Sequence, residues 1–265
     1  MNAIEIFGTI IKPKICKGKY MLAPINNEKI GENIYAMRDK DVNAFLYKKD
    51  NVTIAIDCGY KNCENITKAM DYFKINQNDV LHLFITHLDL DHAGGIDKRC
   101  KRVFKNAKIY LGKTEFKYAE NKLYRKKIGF IKLKSPIKLP DSCTVLEDMQ
   151  TIYIGKIKIQ AILISGHTLG HLCYLVDEKY LFTGDSIILV YGKGYCFYDL
   201  WNIDSQLNMQ SIEKLKMLQN IKFVITSHSG YTENIGNAFL NINQLPNWKD
   251  KKFKVNDDAP YNPFE

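Results

Sequence analysis

An apolar run, Leu81-His82-Leu83-Phe84-Ile85, leads straight into Thr86-His87-Leu88-Asp89-Leu90-Asp91-His92-Ala93-Gly94-Gly95. Four potential ligands, His87, Asp89, Asp91 and His92, therefore fall within six residues of a strand end. Imidazole and carboxylate at this spacing suit Zn, Fe or Mn, and one such loop can serve two metal ions. Alternation along an extended loop predicts that His87, Asp89 and Asp91 share one side while the leucines face the other. A helix is expected just after His92, where the glycines let the backbone turn closely. A chain with this feature must deliver a strand to a polar rim and cover its flanks with apolar layers.

Three other segments repeat the pattern. Gly166-His167-Thr168-Leu169-Gly170-His171 follows the run AILIS, Gly184-Asp185 ends KYLFTGD, and His228 follows KFVIT. Each places a His or Asp at the C-terminal end of a predicted strand, where ligands from different strands can converge.

The rest of the chain reads as short strands clustered in pairs rather than a regular βαβ alternation. Short β-branched runs predict strands at Ala44–Tyr47, Val52–Ile56, Leu81–Thr86, Lys108–Leu111, Thr151–Ile154, Lys156–Ile164, His171–Val176, Tyr180–Thr183 and Lys222–Thr226. Ile66, Met70 and Phe73 have helical spacing, as do Met209, Ile212 and Leu215 after a cap at Asp204 or Ser205. Strands in pairs with helices between them predict two sheets covered by helices on their outer faces. With 265 residues, 46% hydrophobic, and no linker, the chain is expected to form one domain over 1–265. Residues 113–140 are the least regular and suggest an insertion of helical character near the site. The tail after Leu245 is polar and is expected to pack loosely.

Taken in order, His87-x-Asp89-x-Asp91-His92, Gly166-His167-Thr168-x-Gly170-His171, Gly184-Asp185 and His228 resemble the metallo-β-lactamase fold superfamily, and Asp57 in AIDCG matches its structural aspartate. The resemblance spans about two thirds of the chain. It implies a four-layer αβ/βα sandwich with a dinuclear metal site at the edge between the sheets. It implies a first metal on His87, Asp89 and His167, a second on Asp91, His92 and His228, and Asp185 bridging them. His171 is expected to orient its neighbours, and His82 to be structural. The implied chemistry is hydrolysis by a hydroxide held between two divalent ions, zinc first, with Asp91 and Asp185 as the catalytic carboxylates. One position departs from the commonest motif, which has His where this chain has Asp89. The added negative charge argues toward iron or manganese.

Charge is local. Between Lys98 and Lys134 there are 14 Lys or Arg against two acids, while the whole chain is only +9. This segment could track a nucleic acid or be an ordinary solvated face. Only four of the 38 basic residues are Arg, which favours the ordinary reading. The seven cysteines form no Cys-x-x-Cys pair, and no signal peptide or bilayer-spanning run is visible, so a cytoplasmic protein without a membrane partner is expected. The spacings of 75, 18 and 43 residues from His92 through His167 and Asp185 to His228 resemble the lactonase-like branch. Tyr191, Tyr195 and Trp201 could line an apolar pocket or simply pack. A small ester or lactone is the expected substrate. The alternatives are a phosphodiesterase or nuclease of the same fold, and a diiron redox protein lacking its flavin domain. Oligomeric state is left open.

Overall fold

The protein, seen as a computed structural model, is described over residues 6–16, 21–128, 131–247 and 255. The N-terminal segment is helical, with wide turns at Phe7–Ile11 followed by α1 (Lys12–Ile15). The chain then builds an antiparallel meander, β1 (Glu28–Ile30), β2 (Ile34–Asp39), β3 (Val42–Lys49) and β4 (Val52–Ile56). Helix α2 (Glu64–Tyr72) crosses over to β5 (Val80–Phe84), which pairs parallel with β4. After the short helix α3 (Leu90–Ala93) comes β6 (Lys108–Gly112), parallel to β5. Helix α4 (Lys113–Ala119) and the small pair β7 (Lys126–Ile128) and β8 (Ile131–Leu133) form the irregular segment. Strand β9 (Cys143–Leu146) then completes the first sheet in the order β1-β2-β3-β4-β5-β6-β9.

The second sheet begins with β10 (Thr151–Ile154), β11 (Ile157–Leu163), β12 (Leu172–Val176) and β13 (Tyr180–Phe182), all antiparallel. A separate hairpin, β14 (Ile187–Val190) and β15 (Lys193–Cys196), and helix α5 (Ser205–Ile212) intervene. Strand β16 (Phe223–Thr226) returns parallel to β13, and β17 (Gly230–Thr232) closes the sheet ahead of helix α6 (Ile235–Ala238).

Alternation decides which residues fill each layer. Phe45, Tyr47, Ile54, Ile56, Phe84 and Tyr110 of the first sheet meet Ile157, Ile159, Tyr174, Val176, Phe182 and Ile225 of the second. The opposite face of the first sheet packs Leu46, Ala55, Leu83 and Ile109 on Ile66, Ala69 and Met70 of α2. The opposite face of the second packs Cys173, Leu175 and Val224 on Ile212 and Leu215. Helix, sheet, sheet and helix give the expected four-layer sandwich.

Several expectations change. The helix after the first motif begins at Leu90 rather than past His92, because Asp89 takes extended backbone at the N-cap and its carbonyl accepts from the N–H groups of His92 and Ala93. Asp89 and Asp91 therefore diverge instead of sharing one side of an extended loop. Gly94 does meet a close neighbour: a Cβ there would lie 2.4 Å from the Lys61 amide nitrogen. The cap at Asp204 is present, its side chain accepting from Leu207 N–H. Strands β1, β2, β7, β8, β9, β14, β15 and β17 come in addition to those expected from the apolar runs, and β7 with β8 adds a strand pair beside α4 in the segment 113–140, where helical character was expected. The tail after Leu245 lies mostly outside the described residues, although Val255 is buried and its carbonyl accepts from Tyr191 N–H at 2.9 Å.

Candidate metal centre

The strand ends and loops bring His87, His92, His167, Asp91, Asp185 and His228 together at one edge of the sandwich, all buried. Asp91, His92, Asp185 and His228 each offer an atom within 4.8 Å of the others, and so do His87, His167 and Asp185. Asp185 is common to both groups, between the two positions.

Each imidazole is fixed by what its Nδ1 touches. His92 Nδ1 lies 2.8 Å from Asp57 Oδ2, and His228 Nδ1 faces the Asp41 carbonyl. His167 Nδ1 lies 3.1 Å from Asn202 Oδ1, whose amide nitrogen is occupied in donating to Phe197 O. His87 Nδ1 lies 3.0 Å from Thr86 Oγ1, whose own proton goes to Asp57. All four partners accept, so all four Nδ1 atoms donate and all four Nε2 atoms turn inward. His87 Nε2 then sits 3.2 Å from His167 Nε2, and His92 Nε2 sits 3.3 Å from His228 Nε2. Facing lone pairs at these distances call for a cation or proton between them. Among the described residues, Asp185 Oδ1 is likewise buried without a hydrogen-bond donor. The donor set thus fits divalent metal ions of the nitrogen- and oxygen-binding kind.

His171 stands apart from the ligand set. Its Nε2 accepts from the Asp185 backbone N–H at 3.1 Å, so its lone pair is spent on holding that loop. Gly184 has φ +52, and a Cβ there would approach His171 Nε2 to 2.5 Å, which is why glycine precedes Asp185. Asp57 takes three donors, Thr86 N–H, Thr86 O–H and His92 Nδ1–H. His82 contacts Tyr110 Oη at 3.0 Å, away from the cluster.

Two cations absent from the sequence reading enter the site. Arg125 forks onto Asp89, Nε to Oδ1 and Nη2 to Oδ2, both at 2.7 Å. Burial works against the ionised Asp89 carboxyl, but the guanidinium outweighs it and holds the group well below the carboxylate range. The extra negative charge at Asp89 is therefore matched on the spot by the Arg125 guanidinium. Lys12 of α1 donates to Asp91, with Asp41 Oδ2 at 3.6 Å. Burial opposes the Lys12 charge too, yet Asp91, Asp41 and Asp185 raise its pKa. Burial pushes His167 down to about 4, whereas His228, against the same penalty, is lifted to about 9 by Asp185 and Asp91.

Two other buried groups brace the rim. Glu115 of α4 accepts from Leu88 N–H and the Thr168 hydroxyl, tying the two histidine loops together. Phe197 stacks edgewise on His167 with ring centroids 5.2 Å apart. Trp201 contributes its carbonyl to Arg125 at 3.2 Å and its ring to Lys12 at 5.6 Å. Tyr195 packs with this group, while Tyr191 is exposed on the β14–β15 turn. Within the basic segment Lys98, Arg99, Lys113 and Lys122 pair with carboxylates, as Arg125 does. No helix among the described residues is long and apolar enough to cross a membrane.

A four-layer sandwich with histidines and aspartates gathered at its sheet edge defines a class, and the chain belongs to it: residues 37–228 match the metallo-beta-lactamase superfamily. Among curated proteins it is 30% identical, over 144 residues, to the probable polyketide biosynthesis zinc-dependent hydrolase PksB of Bacillus subtilis (strain 168), covering 54% of this chain and 51% of that protein. The lactamase-like protein adaB of Aspergillus niger is 24% identical over 175 residues, covering 63% and 44% respectively. The chain thus spans about half the length of these relatives. Among solved structures, a B3 metallo-β-lactamase with an active-site glutamic acid superposes with TM-score 0.60 at 17% identity, covering 83% of this chain and 86% of that one. A metallo-β-lactamase family protein from Thermus thermophilus superposes with TM-score 0.58 at 14% identity, covering 79% and 76%. These structural likenesses concern the fold.

Proposed function

We propose that the chain is a metal-dependent hydrolase of a small ester or lactone, with zinc as its metal. The observation that carries this reading is the convergence of four imidazole Nε2 atoms around Asp185. The groups proposed as ligands are Asp91, His92, Asp185 and His228 at one position, and His87 and His167 with Asp185, and Asp89 alongside, at the other. A divalent ion there supplies Lewis acidity that makes water nucleophilic near neutral pH and polarises a substrate carbonyl. Asp185 lies between the two positions and is the carboxylate best placed to orient the attacking water. Lys12 keeps Asp91 ionised, and Asp57, Asn202, Thr86 and the Asp41 carbonyl keep the imidazoles in the ligand tautomer. The zinc dependence named for the Bacillus relative agrees with the matched charge at Asp89.

The phosphodiesterase alternative loses support because the basic segment spends at least five of its cations on neighbouring carboxylates. A cytoplasmic location is part of the proposal. Zinc-loaded protein is expected to turn over p-nitrophenyl acetate and leave bis-p-nitrophenyl phosphate intact, and Asp185→Ala is expected to abolish the turnover. Acetate hydrolysis that survives Asp185→Ala in metal-loaded protein overturns the reading. Phosphodiester turnover moves the proposal to nuclease chemistry, and iron with oxygen consumption moves it to redox.

A further inference from the structure

Arg125 reaches the centre from the segment between α4 and β7, 36 residues beyond the aspartate it pairs with. Besides forking onto Asp89, its Nη2 lies 3.3 Å from His167 Nε2. That nitrogen is an acceptor, because His167 Nδ1 donates to Asn202. A single guanidinium nitrogen therefore faces Asp89 Oδ2, the His167 lone pair and the Trp201 carbonyl at once. Asp89 Oδ2 in turn lies 3.4 Å from His167 Nε2 and 3.6 Å from His87 Nε2. These are the donor atoms that would close round a metal ion at the first position. A lone pair spent on an N–H donor is not available to a metal.

The other position is different. The Lys12 ammonium meets carboxylate oxygens there, those of Asp91 and Asp41. A carboxylate has lone pairs enough to receive both an ammonium and a metal ion, whereas an imidazole nitrogen has one.

We propose that Arg125 is the resident cation of the first position, so that the protein loads one metal ion tightly, at Asp91, His92, Asp185 and His228, and admits a second only by displacing the guanidinium. The inference rests on the metal-dependent reading above and concerns the order and number of ions. It makes Arg125 a positioning residue that converts a two-ion ligand set into a one-ion resting state.

The test is the stoichiometry of zinc held after chelator treatment, titration and buffer exchange, counted by elemental analysis, with affinities from competition against a chromophoric chelator. The wild-type protein is expected to hold one equivalent, with any second at least tenfold weaker, and Arg125→Gln is expected to hold two. Arg125→Met, which keeps an apolar stem of similar length, gives the same readout should the glutamine variant misfold. In the wild-type background His167→Gln is expected to keep the single equivalent and His228→Gln to lose it. Two equivalents of matched affinity in the wild type, or one in both Arg125 variants, overturn the role of Arg125 while leaving the hydrolase reading intact. Loss of the single ion in His167→Gln, with retention in His228→Gln, overturns the assignment of position. No zinc in any form sinks the metal-dependent reading, and the proposal with it.

Discussion

Asp57→Asn is the substitution that most directly probes how the centre is held. The carboxylate is buried and accepts from Thr86 N–H at 2.8 Å, from the Thr86 hydroxyl at 2.8 Å and from His92 Nδ1 at 2.8 Å. Asparagine has the same outline but one accepting oxygen and one donating nitrogen. Turned one way, the amide faces Thr86 with a donor where two donors already point. Turned the other, it donates to His92 Nδ1 and drives the ring proton to Nε2, which faces His228 Nε2 at 3.3 Å and Asp185 Oδ1 at 3.2 Å. Either way a buried donor is orphaned or a charge-assisted bond is lost, at about 2–4 kcal/mol of folding stability. For a domain of this size that is a fall in melting temperature of roughly 5–15 °C. The wrong tautomer removes His92 as a ligand, and loss of such an outer partner typically weakens metal binding about 10–100-fold, or about 1.4–2.8 kcal/mol. Chelator competition and thermal melting on folded protein measure both. Wild-type zinc affinity in folded Asp57→Asn refutes the argument that the Nδ1 partners set the ligand tautomers.

Acid stability gives a second check. The Asp97 side chain is buried, and although burial raises its pKa, Arg99 and Lys61 hold it down at about 2. A folded pKa below the unfolded value means a contribution fully present above about pH 5 and lost as the pH falls toward 2. Discounted for the half-exposed Arg99, it amounts to about 1–2 kcal/mol, and Asp97→Asn should flatten that part of the urea-midpoint profile. Parallel profiles for variant and wild type contradict this. Phe45→Ala, which empties a buried ring 5.4 Å from Phe182 between the sheets, should cost about 3–5 kcal/mol in urea unfolding. A loss under about 1 kcal/mol denies that the two faces interlock. Gly184→Ala forces a side chain into left-handed backbone and against His171, so it should cost at least about 1 kcal/mol of stability and lower zinc content. Wild-type melting and metal content would show that the loop relaxes freely.

Much of the site is legible in the sequence because it is local. A strand is announced by its apolar run, and a ligand at its end is announced by being His or Asp where the run stops. Hence Val52–Ile56 and Thr151–Ile154 appear as read, and His87, His92, His167, Asp185 and His228 meet at one rim. Strands that lack a marked run, such as Glu28–Ile30, or that end in polar turns, such as Lys193–Cys196, are not legible. They exist because a neighbour offers them a ladder. The same limit hides Lys12 and Arg125. Nothing in KPK or YRKK distinguishes an inward cation from a solvated one, and 14 basic residues between Lys98 and Lys134 make any one of them anonymous. Glu115 is as unremarkable in sequence, yet it is fully buried beneath two ligand loops.

By itself, then, the sequence determined the paired strands, the helices between them and the residue types at the strand ends, since periodicity and spacing encode those directly, and it pointed to the family through the resemblance of its motifs. Only the tertiary structure decided which carboxylate meets which cation. In sequence Asp89 is a ligand that adds charge, and the fold pairs it with a guanidinium 36 residues away. Such a pairing is fixed by where two distant segments cross, and its Coulomb energy at 2.7 Å depends on that crossing and not on either segment's own composition.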